Sequence, residues 1–310
     1  MENKYDVIIL GAGPAGLTAG IYLARSRVKT LILDNGTSGG QMNLSHMIAN
    51  YPGFPEISGH DLGMAMRNQA KSFGCDIITQ ADIHSMDIDS SLKTFEVDDE
   101  GTFTSDAVII ATGGKPRTLG LESETRFKGL GISYCATCDG DFFTDKEIAV
   151  IGGGNSALEE AVELTRYASK VTVIHEFDHF QAFPWAVEEA KKNPRISFLM
   201  EQTIREFRGD ESLNSVVSSN KRTGEETVLD VSGVFLFIGY VPNTEFLKNI
   251  VELNDYGEIV TDESLKTSVD GVYAAGDCRA KRYRQITTAV SDGTVAALSA
   301  TKYIMDLNRN

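Results

Sequence analysis

Two cysteines, Cys135 and Cys138, lie in the sequence YCATCDGDF with two residues between them. This C-x-x-C spacing allows a disulfide that closes a very short loop, and the thiols of such pairs often have a lowered pKa. A zinc site is one alternative, but the chain contains no second CxxC or CxxH that would complete its ligands. A pair of purely structural thiols is another. We interpret the motif as a redox-active pair and predict no metal site.

Asp139 directly follows the second cysteine, and we interpret it as a candidate acid/base group. A carboxyl group beside a thiol can donate or accept a proton during thiol–disulfide exchange. The alternative is an exposed loop carboxylate that takes no part in the chemistry. The other cysteines, Cys75 and Cys278, have no partner close in the sequence, and we expect both to be buried structural thiols.

The elements that must position the cysteine pair form two βαβ patterns. In the first, at residues 5–34, an apolar strand leads into the turn GAGPAG, a helix and a second strand. The three fingerprint glycines permit the tight turn, the approach of a pyrophosphate and close helix packing, and the final acid accepts ribose hydroxyls. The helix N-terminus offers N–H groups to the phosphates. The predicted dinucleotide-binding residues are Gly11, Gly13, Pro14, Ala15, Gly16 and Asp34.

The second pattern, at residues 147–176, repeats the first, with Gly152, Gly154 and Ala157 at the three fingerprint positions. Two dinucleotide-binding folds in a chain of 310 residues indicate a flavoprotein. One fold is expected to bind FAD, and the other is expected to derive from a pyridine-nucleotide site.

Two later apolar strands, within the sequences VIIATG and DGVYAAGD, complete the first fold, and Asp277 ends the second of them. An acid in this position suits a hydroxyl group of a bound cofactor. We therefore predict an α/β protein with two Rossmann-like dinucleotide-binding domains. The FAD-binding domain is discontinuous, at 1–115 and 246–310, and the inserted domain at 116–245 carries the C-x-x-C motif.

The composition narrows the classes of partner. A formal net charge of −15 argues against nucleic acid, because nucleic-acid-binding proteins present basic surfaces. No apolar run reaches the roughly 18 residues that a membrane span requires. The N-terminal apolar run is too short, and too closely followed by glycines, to be a signal peptide. We expect a cytoplasmic protein that contacts neither nucleic acid nor membrane.

These motifs together resemble the low-molecular-weight, thioredoxin-reductase-type flavoproteins along nearly the whole chain. The shared motifs are GAGPAG at 11–16, GGQ at 39–41, NYPGFP at 50–55, ATG at 111–113, CATC at 135–138, GGGNSA at 152–157, FIGYVPN at 237–243, GD at 276–277 and YRQ at 283–285. The resemblance implies a homodimer with one FAD per subunit. It also implies a disulfide that the flavin reduces and that then reduces thioredoxin.

The resemblance also implies roles for individual residues. Cys138 would face the flavin, Cys135 would attack the disulfide of thioredoxin, and Asp139 would exchange the proton. In this family the inserted domain rotates, so that the cysteine pair alternates between flavin and partner. The further FAD-binding residues carried over from the family are Gly40, Gln41, Asn50, Ala111, Thr112, Gly113, Gly276, Asp277, Arg284, Gln285 and Ile286.

One segment departs from the family. NADPH-dependent members carry the motif HRRxxxR after the second strand of the inserted domain; here His175 is kept, but Glu176, Phe177 and Gln181 replace the arginines. Arginine is the side chain suited to bind a ribose 2′-phosphate. Glu176 and Asp178 would instead repel it, and a like-charge contact costs on the order of 1–4 kcal/mol. We therefore expect NADPH to be a very poor ligand. Aromatic side chains that fill the groove would be a second reason for the same effect.

The departure resembles the ferredoxin-dependent flavin thioredoxin reductases, and we predict reduced ferredoxin as the electron donor. A thioredoxin reductase that depends on NADH, with Glu176 as ribose acceptor, or that keeps residual NADPH dependence, is the first alternative. The spacing argues mildly against it, because the step from Gly11 to Asp34 leads from Gly152 to His175. A flavin oxidase or dehydrogenase of small molecules, which needs no thiol pair, is the second. A non-catalytic, redox-sensitive binding module is the third.

An acidic donor protein would require a basic patch on this acidic chain. The densest basic run is RAKRYR at 279–284, and a weaker cluster comprises Lys191, Lys192 and Arg195. Solvated loops are the alternative interpretation of both.

Overall fold

The computed structural model describes residues 3–45, 47–307 and 309. The chain divides into two compact units, Met1–Lys115 with Val241–Asn310, and Pro116–Tyr240. Residues 241–245, expected in the inserted domain, belong to the first unit. Hydrogen bonds hold them there, because Thr112 Oγ1 donates to Asn243 O at 2.8 Å and Asn243 Nδ2 donates to Thr112 O at 3.0 Å.

The strands of the described residues are β1 (Lys4–Leu10), β2 (Thr30–Asp34), β3 (Asp76–Thr79), β4 (Ile83–Asp87), β5 (Lys93–Val97), β6 (Gly101–Ile110), β7 (Gly114–Pro116), β8 (Ile132–Ser133), β9 (Glu147–Ile151), β10 (Lys170–Ile174), β11 (Ile196–Leu199), β12 (Gln202–Gly209), β13 (Leu213–Asn220), β14 (Glu226–Asp230), β15 (Gly233–Leu236), β16 (Tyr240–Pro242) and β17 (Val272–Ala274). The α-helices are α1 (Pro14–Arg25), α2 (Gly59–Ser72), α3 (Glu122–Phe127), α4 (Ala136–Asp139), α5 (Asn155–Leu164), α6 (Pro184–Lys192) and α7 (Ile286–Leu307). Short 3-10 helices cover Gly40–Leu44, Gly140–Phe143 and Glu245–Leu247.

The first unit is built on a seven-stranded sheet in the order β3-β2-β1-β6-β5-β4, with β17 paired to β6. The strands around β1 are parallel, and their apolar side chains are buried on both faces, as is typical of a sheet covered by helices. In this register Leu10 pairs with Leu33 and with Ile110. The carboxyl ends of β1, β2 and β6 therefore meet at one edge, which is where such sheets bind ligands.

The second unit repeats this plan with a parallel sheet in the order β11-β10-β9-β15-β8 and a three-stranded antiparallel sheet, β12-β13-β14. Helices α5 and α6 pack on the parallel sheet around residues such as Leu158 and Ala190, both fully buried. Two βαβ sheets, each opening with a glycine turn, confirm the predicted α/β class.

Among the described residues, no helix combines the length and the apolar character needed to cross a membrane.

Helix α7 lies against the start of α1 at a glycine. A Cβ added to Gly293 would stand 2.2 Å from the carbonyl oxygen of Ala15. No side chain fits at that separation, so the contact between the two helices depends on the missing side chain.

We predict that Gly293→Ala destabilises the protein by about 1–3 kcal/mol, because the methyl group overpacks the α1–α7 contact. In an unconstrained helix the same change stabilises by about 1 kcal/mol, so the expected sign is opposite. Thermal unfolding measures the difference, with Ser291→Ala at an exposed position of the same helix as the control. An unchanged or raised melting temperature for Gly293→Ala would contradict the packing described.

Candidate active site

The cysteine pair lies at the start of the short helix α4. Cys135 and Cys138 form a disulfide, with their Cα atoms 5.3 Å apart. Cys135 is the N-cap of α4, and its Sγ accepts a hydrogen bond from the backbone N–H of Cys138 at 3.2 Å. The helix therefore holds the first sulfur next to an N–H donor, which favours a thiolate there once the bond is reduced.

Asp139 closes the same turn, with its N–H donating to Cys135 O at 3.2 Å. Burial raises the pKa of its carboxyl group, and Asp141 adds to that increase. Ser133 opposes both, because its hydroxyl donates to Asp139 Oδ2 at 2.5 Å. A carboxyl group that keeps its proton closer to neutral pH is suited to acid/base work. Sequence analysis missed Ser133, whose one local signal is a hydroxyl residue two positions before the first cysteine.

A buried carboxylate supports the segment in front of the pair. Glu124 is only 2% exposed, and its Oε1 accepts a hydrogen bond from the hydroxyl of Tyr134 at 2.6 Å. Its Oε2 accepts from the backbone N–H groups of Leu119 at 2.8 Å and Gly120 at 3.0 Å. Glu124 thus ties the chain that enters the second unit to the residue next to Cys135. Sequence analysis did not single out this residue.

The first glycine turn lies between β1 and α1 and has space beside it. Gly11 has a φ of 107°, and a Cβ there would stand 2.4 Å from Ala111 O, whereas a Cβ at Gly13 would meet no atom within 4 Å. The carboxylate of Asp34 accepts from Gly36 N at 2.7 Å and from Ala12 N. The structure therefore gathers Gly11, Gly13, Asp34 and Ala111, and it leaves open the side that a pyrophosphate would approach.

The GGQ segment lies over this turn. Gly39 N donates to Ala12 O at 2.8 Å, and a Cβ at Gly40 would stand 3.2 Å from the Cα of Gly13. Within the described residues, the buried Ser38 Oγ and Asn43 Oδ1 atoms have no hydrogen-bond partner. Polar atoms buried without partners beside a phosphate-type turn fit a missing ligand. Sequence analysis pointed to the segment through Gly40 and the exposed Gln41, but it missed Ser38 and Asn43.

Asp277 reaches the same turn from β17. A Cβ at Gly276 would stand 2.9 Å from the Cβ of Ala15, so this segment touches the start of α1. Burial raises the pKa of the Asp277 carboxyl group. Lys281 and Arg284 partly offset this increase, and Asp292 adds to it. Its Oδ1 is buried and, as far as the described chain shows, has no hydrogen-bond partner. A buried carboxyl oxygen without a partner, on the residue next to one that touches this turn, fits a hydroxyl group of FAD.

The other predicted cofactor residues lie in three places. Thr112 and Gly113 follow β6, and Asn243 binds the former. Asn50 is exposed in the loop closed by the bridge between Ile48 and Ile57. Arg284, Gln285 and Ile286 form the entry to α7, where Gln285 N donates to Thr288 Oγ1 at 3.1 Å.

Three cations of the basic run at 279–284 have carboxylate partners, whereas Arg282 is exposed and lies over the Tyr283 ring at 5.3 Å. Lys281 Nζ lies 2.8 Å and Arg279 Nη1 3.5 Å from Asp292 Oδ2, and Arg284 pairs with Glu258. In the weaker cluster, Lys192 pairs with Glu188 at 3.5 Å and Arg195 Nη1 donates to Thr165 O at 2.9 Å. Both groups of residues are therefore paired in part, and Asp292 and Glu258 offset only part of the charge of the run.

The second glycine turn is covered by the segment that departs from the family. The ring of His175 packs on Gly153, where an added Cβ would stand 2.4 Å from it, and burial lowers the pKa of this histidine. Gln181 N donates to Gly153 O at 2.8 Å. Phe177 meets the His175 ring edge-on at 5.3 Å, and Phe180 stacks on it at 5.8 Å. Aromatic side chains therefore pack at the place where NADPH-dependent members of the family carry arginines.

Each acid of this segment has a side-chain partner, a lysine for Glu176 and a histidine for Asp178. Glu176 Oε2 lies 3.2 Å from Lys221 Nζ, which also lies over the Phe177 ring at 5.2 Å. Asp178 Oδ1 lies 2.6 Å from His179 Nδ1. The predicted repulsion of a 2′-phosphate is therefore weaker than the sequence suggested, because Lys221 offsets the charge of Glu176.

Comparisons with known proteins agree over both units. The profile of the family described as pyridine nucleotide-disulphide oxidoreductase matches residues 5–293. The chain is 43% identical over 303 residues to a Clostridium pasteurianum protein described as a 34.2 kDa protein in a rubredoxin operon, with 98% of each chain covered. It is 42% identical over 311 residues to a thioredoxin reductase of Peptoclostridium acidaminophilum, again with 98% of each covered. The crystal structure of a Streptococcus pyogenes thioredoxin reductase matches with a TM-score of 0.94 at 38% identity, covering 99% of this chain and 100% of the other.

We predict that only the cysteine pair reacts with an aromatic disulfide reagent in the folded protein, and only after reduction. Burial raises the pKa of Cys75 to about 12 and that of Cys278 to about 11, so at pH 8 both remain protonated and unreactive. The number of aromatic thiolates released per chain, measured for the native, the reduced and the unfolded protein, checks this. The double variant Cys135→Ser, Cys138→Ser is the control. Rapid reaction of the oxidised native protein would contradict the prediction.

Proposed function

Because the chain belongs to the pyridine nucleotide-disulphide oxidoreductases, and among them to the low-molecular-weight thioredoxin reductase type, we propose that it reduces thioredoxin with electrons from reduced ferredoxin rather than NADPH. It is an oxidoreductase that acts on a disulfide, and thioredoxin reductases of this fold bind FAD. We further propose, from the same resemblance, a homodimer in the cytoplasm.

The exchange chemistry falls to three residues. The Cys135 thiolate attacks one sulfur of the thioredoxin disulfide, that bond breaks, and a mixed disulfide forms. The Cys138 thiolate then attacks Cys135 Sγ, which re-forms the internal disulfide and releases the reduced partner. Two electrons leave the pair in each cycle. Asp139 follows Cys138 in the same turn, and its half-buried carboxyl group, whose pKa is raised by burial, gives a proton to the leaving thiolate.

The first unit would hold FAD at the glycine turn. Backbone N–H groups at the start of α1 suit the pyrophosphate, Asp34 suits the ribose, and the unpartnered oxygen of Asp277 suits a further hydroxyl. When bound, FAD supplies two-electron reduction of a disulfide and can itself be refilled by single electrons.

The identity of residues 176, 177 and 181 carries the donor proposal. None of Glu176, Phe177 and Gln181 is a cation. The nearby Lys221 pairs with Glu176, and Phe177 packs on His175. The cationic side chains that would bind a 2′-phosphate are therefore missing at these positions, which supports a donor other than NADPH.

We predict that Asp277→Ala lowers FAD affinity by about tenfold to a hundredfold, the effect of losing a hydrogen bond to a buried charged group. The apoprotein should lose little stability, because Oδ1 of this carboxyl has no hydrogen-bond partner in the described structure and burial raises its pKa despite Lys281 and Arg284. Fluorescence titration of apoprotein with FAD and thermal unfolding measure the two effects. Asp255→Ala, at an exposed site, is the control. Unaltered affinity would remove Asp277 from the cofactor site.

We predict that millimolar NADPH or NADH reduces the flavin slowly or not at all, whereas reduced ferredoxin supports thioredoxin turnover. Anaerobic mixing of the oxidised holoenzyme with each donor, followed by flavin absorbance, tests this. Cys135→Ser is the matched control: its flavin should still be reduced, but thioredoxin turnover should be lost. Rapid flavin reduction by NADPH would overturn the donor proposal, and rapid reduction by NADH alone would favour the NADH alternative.

The double variant Glu176→Arg, Gln181→Arg distinguishes two reasons for weak NADPH binding: the lack of cations for the 2′-phosphate, and a groove filled by aromatic side chains. It leaves Phe177 against His175 and frees Lys221 from its pair. If charge is the obstacle, NADPH binding should increase by tenfold or more at low salt, as expected for charge-assisted contacts to a phosphate. No increase would assign the obstacle to the aromatic packing around His175.

A further inference from the structure

Ser133 connects the acid/base carboxyl to the backbone of the first cysteine. We propose that Ser133 is a positioning residue for disulfide exchange: its hydroxyl orients the Asp139 carboxyl and reverses its hydrogen bond when that carboxyl gains or loses a proton. The inference rests on the proposed function, which makes Asp139 the proton donor.

The position of the hydroxyl is fixed by the fold. Ser133 is 5% exposed and lies on β8, where it pairs with Phe235 of β15. Its Oγ lies 2.5 Å from Asp139 Oδ2, accepts the Cys135 N–H at 3.1 Å and lies 3.3 Å from Cys135 O. A single side-chain oxygen therefore meets both the carboxyl group and the peptide that carries the nucleophilic thiol.

These contacts allow two complete hydrogen-bond patterns. A hydroxyl has one donor and two acceptor lone pairs. When Asp139 is charged, the Ser133 hydroxyl donates to Oδ2. When Asp139 is protonated, its own O–H donates to Ser133 Oγ, and the serine proton turns to Cys135 O. The Cys135 N–H stays bonded in both patterns, so the carboxyl changes charge without moving a heavy atom or leaving a buried group unpaired.

The groups that act on Asp139 are unevenly matched. Burial and the carboxylate of Asp141 raise its pKa, and Ser133 lowers it. Nearby, the Tyr167 ring packs on Gly140, and Glu124 is bound to Tyr134. Removing the hydroxyl would therefore keep the proton on Asp139 to higher pH and leave the carboxyl without its orienting contact.

The proton balance of the step is simple. The Cys135 thiolate forms a bond to one sulfur of the substrate, the substrate S–S bond breaks, and the leaving sulfur carries the electron pair as a thiolate. Asp139 releases its hydrogen bond to Ser133 Oγ, transfers that proton to the thiolate and becomes a carboxylate. Ser133 then turns its hydroxyl from Cys135 O to Asp139 Oδ2.

A single-turnover assay with two small disulfides isolates this role. The holoenzyme is reduced with dithiothreitol, freed of reagent under anaerobic conditions and mixed with bis(2-hydroxyethyl) disulfide or with 5,5′-dithiobis(2-nitrobenzoate) over a range of pH. The aliphatic leaving thiolate needs a proton, whereas the aromatic one is stable without it. For Ser133→Ala we expect about tenfold slower reaction with the aliphatic disulfide and an alkaline limb displaced to higher pH. The rate with the aromatic disulfide should change less than about twofold.

Three comparisons keep the test specific. Ser133→Thr, which retains the hydroxyl, should keep the rate and the pH profile of the wild type. Ser133→Val, which has the shape of threonine without the hydroxyl, should not. These two variants provide the test if Ser133→Ala does not fold. Ser218→Ala removes a buried hydroxyl of the same unit, which donates to Gln202 Oε1 at 2.9 Å, and should leave both reactions unchanged. In an Asp139→Asn background, removing the hydroxyl should add no further loss with the aliphatic disulfide.

Equal slowing with both disulfides, an undisplaced alkaline limb, or an additive loss in the Asp139→Asn background would overturn the proposal. The assay uses neither thioredoxin nor ferredoxin. Failure of the wild-type enzyme to turn over thioredoxin would therefore refute the proposed function. The result for Ser133 would still be valid, because it depends only on the reaction with the small disulfides.

Discussion

The carbonyl oxygen of Gly11 occupies the space that a side chain at residue 16 would need, and the first unit is arranged around this approach. A Cβ at Gly16 would stand 1.9 Å from that oxygen. Only glycine therefore lets the first turn of α1 come down onto the end of β1. The free N–H groups of the helix then face the sheet edge where β1, β2 and β6 end.

Several distant parts of the chain depend on that placement. Ala111 packs on Gly11, Gly276 packs on Ala15, and Gly293 of α7 reaches the Ala15 carbonyl, each at a separation that excludes a side chain. Asp34 and Asp277 consequently arrive at one turn although they are far apart in sequence. A larger residue at any of these glycines would displace the turn and the two carboxyl groups together.

Local patterns were sufficient to predict the fold class, the glycine turns and the cysteine pair, because strand burial and turn geometry depend on near neighbours. The pairing of charges was not predictable in this way. Glu176 and Asp178 read as free acids and residues 279–284 as a basic patch, since nothing local shows that Lys221 or Asp292 faces them. The burial of Glu124 and the contact of Ser133 with Asp139 likewise arise only when separate segments meet.

The Glu124 carboxylate gives the second unit a mechanical property. It joins the N–H groups of Leu119 and Gly120, just after the chain enters this unit, to the hydroxyl of Tyr134, just before Cys135. Because Glu124 is only 2% exposed, its carboxylate is shielded from water at the centre of these partly buried bonds. A displacement of the entry segment at Leu119 and Gly120 is therefore passed to Tyr134, beside the disulfide, through three hydrogen bonds to one carboxylate.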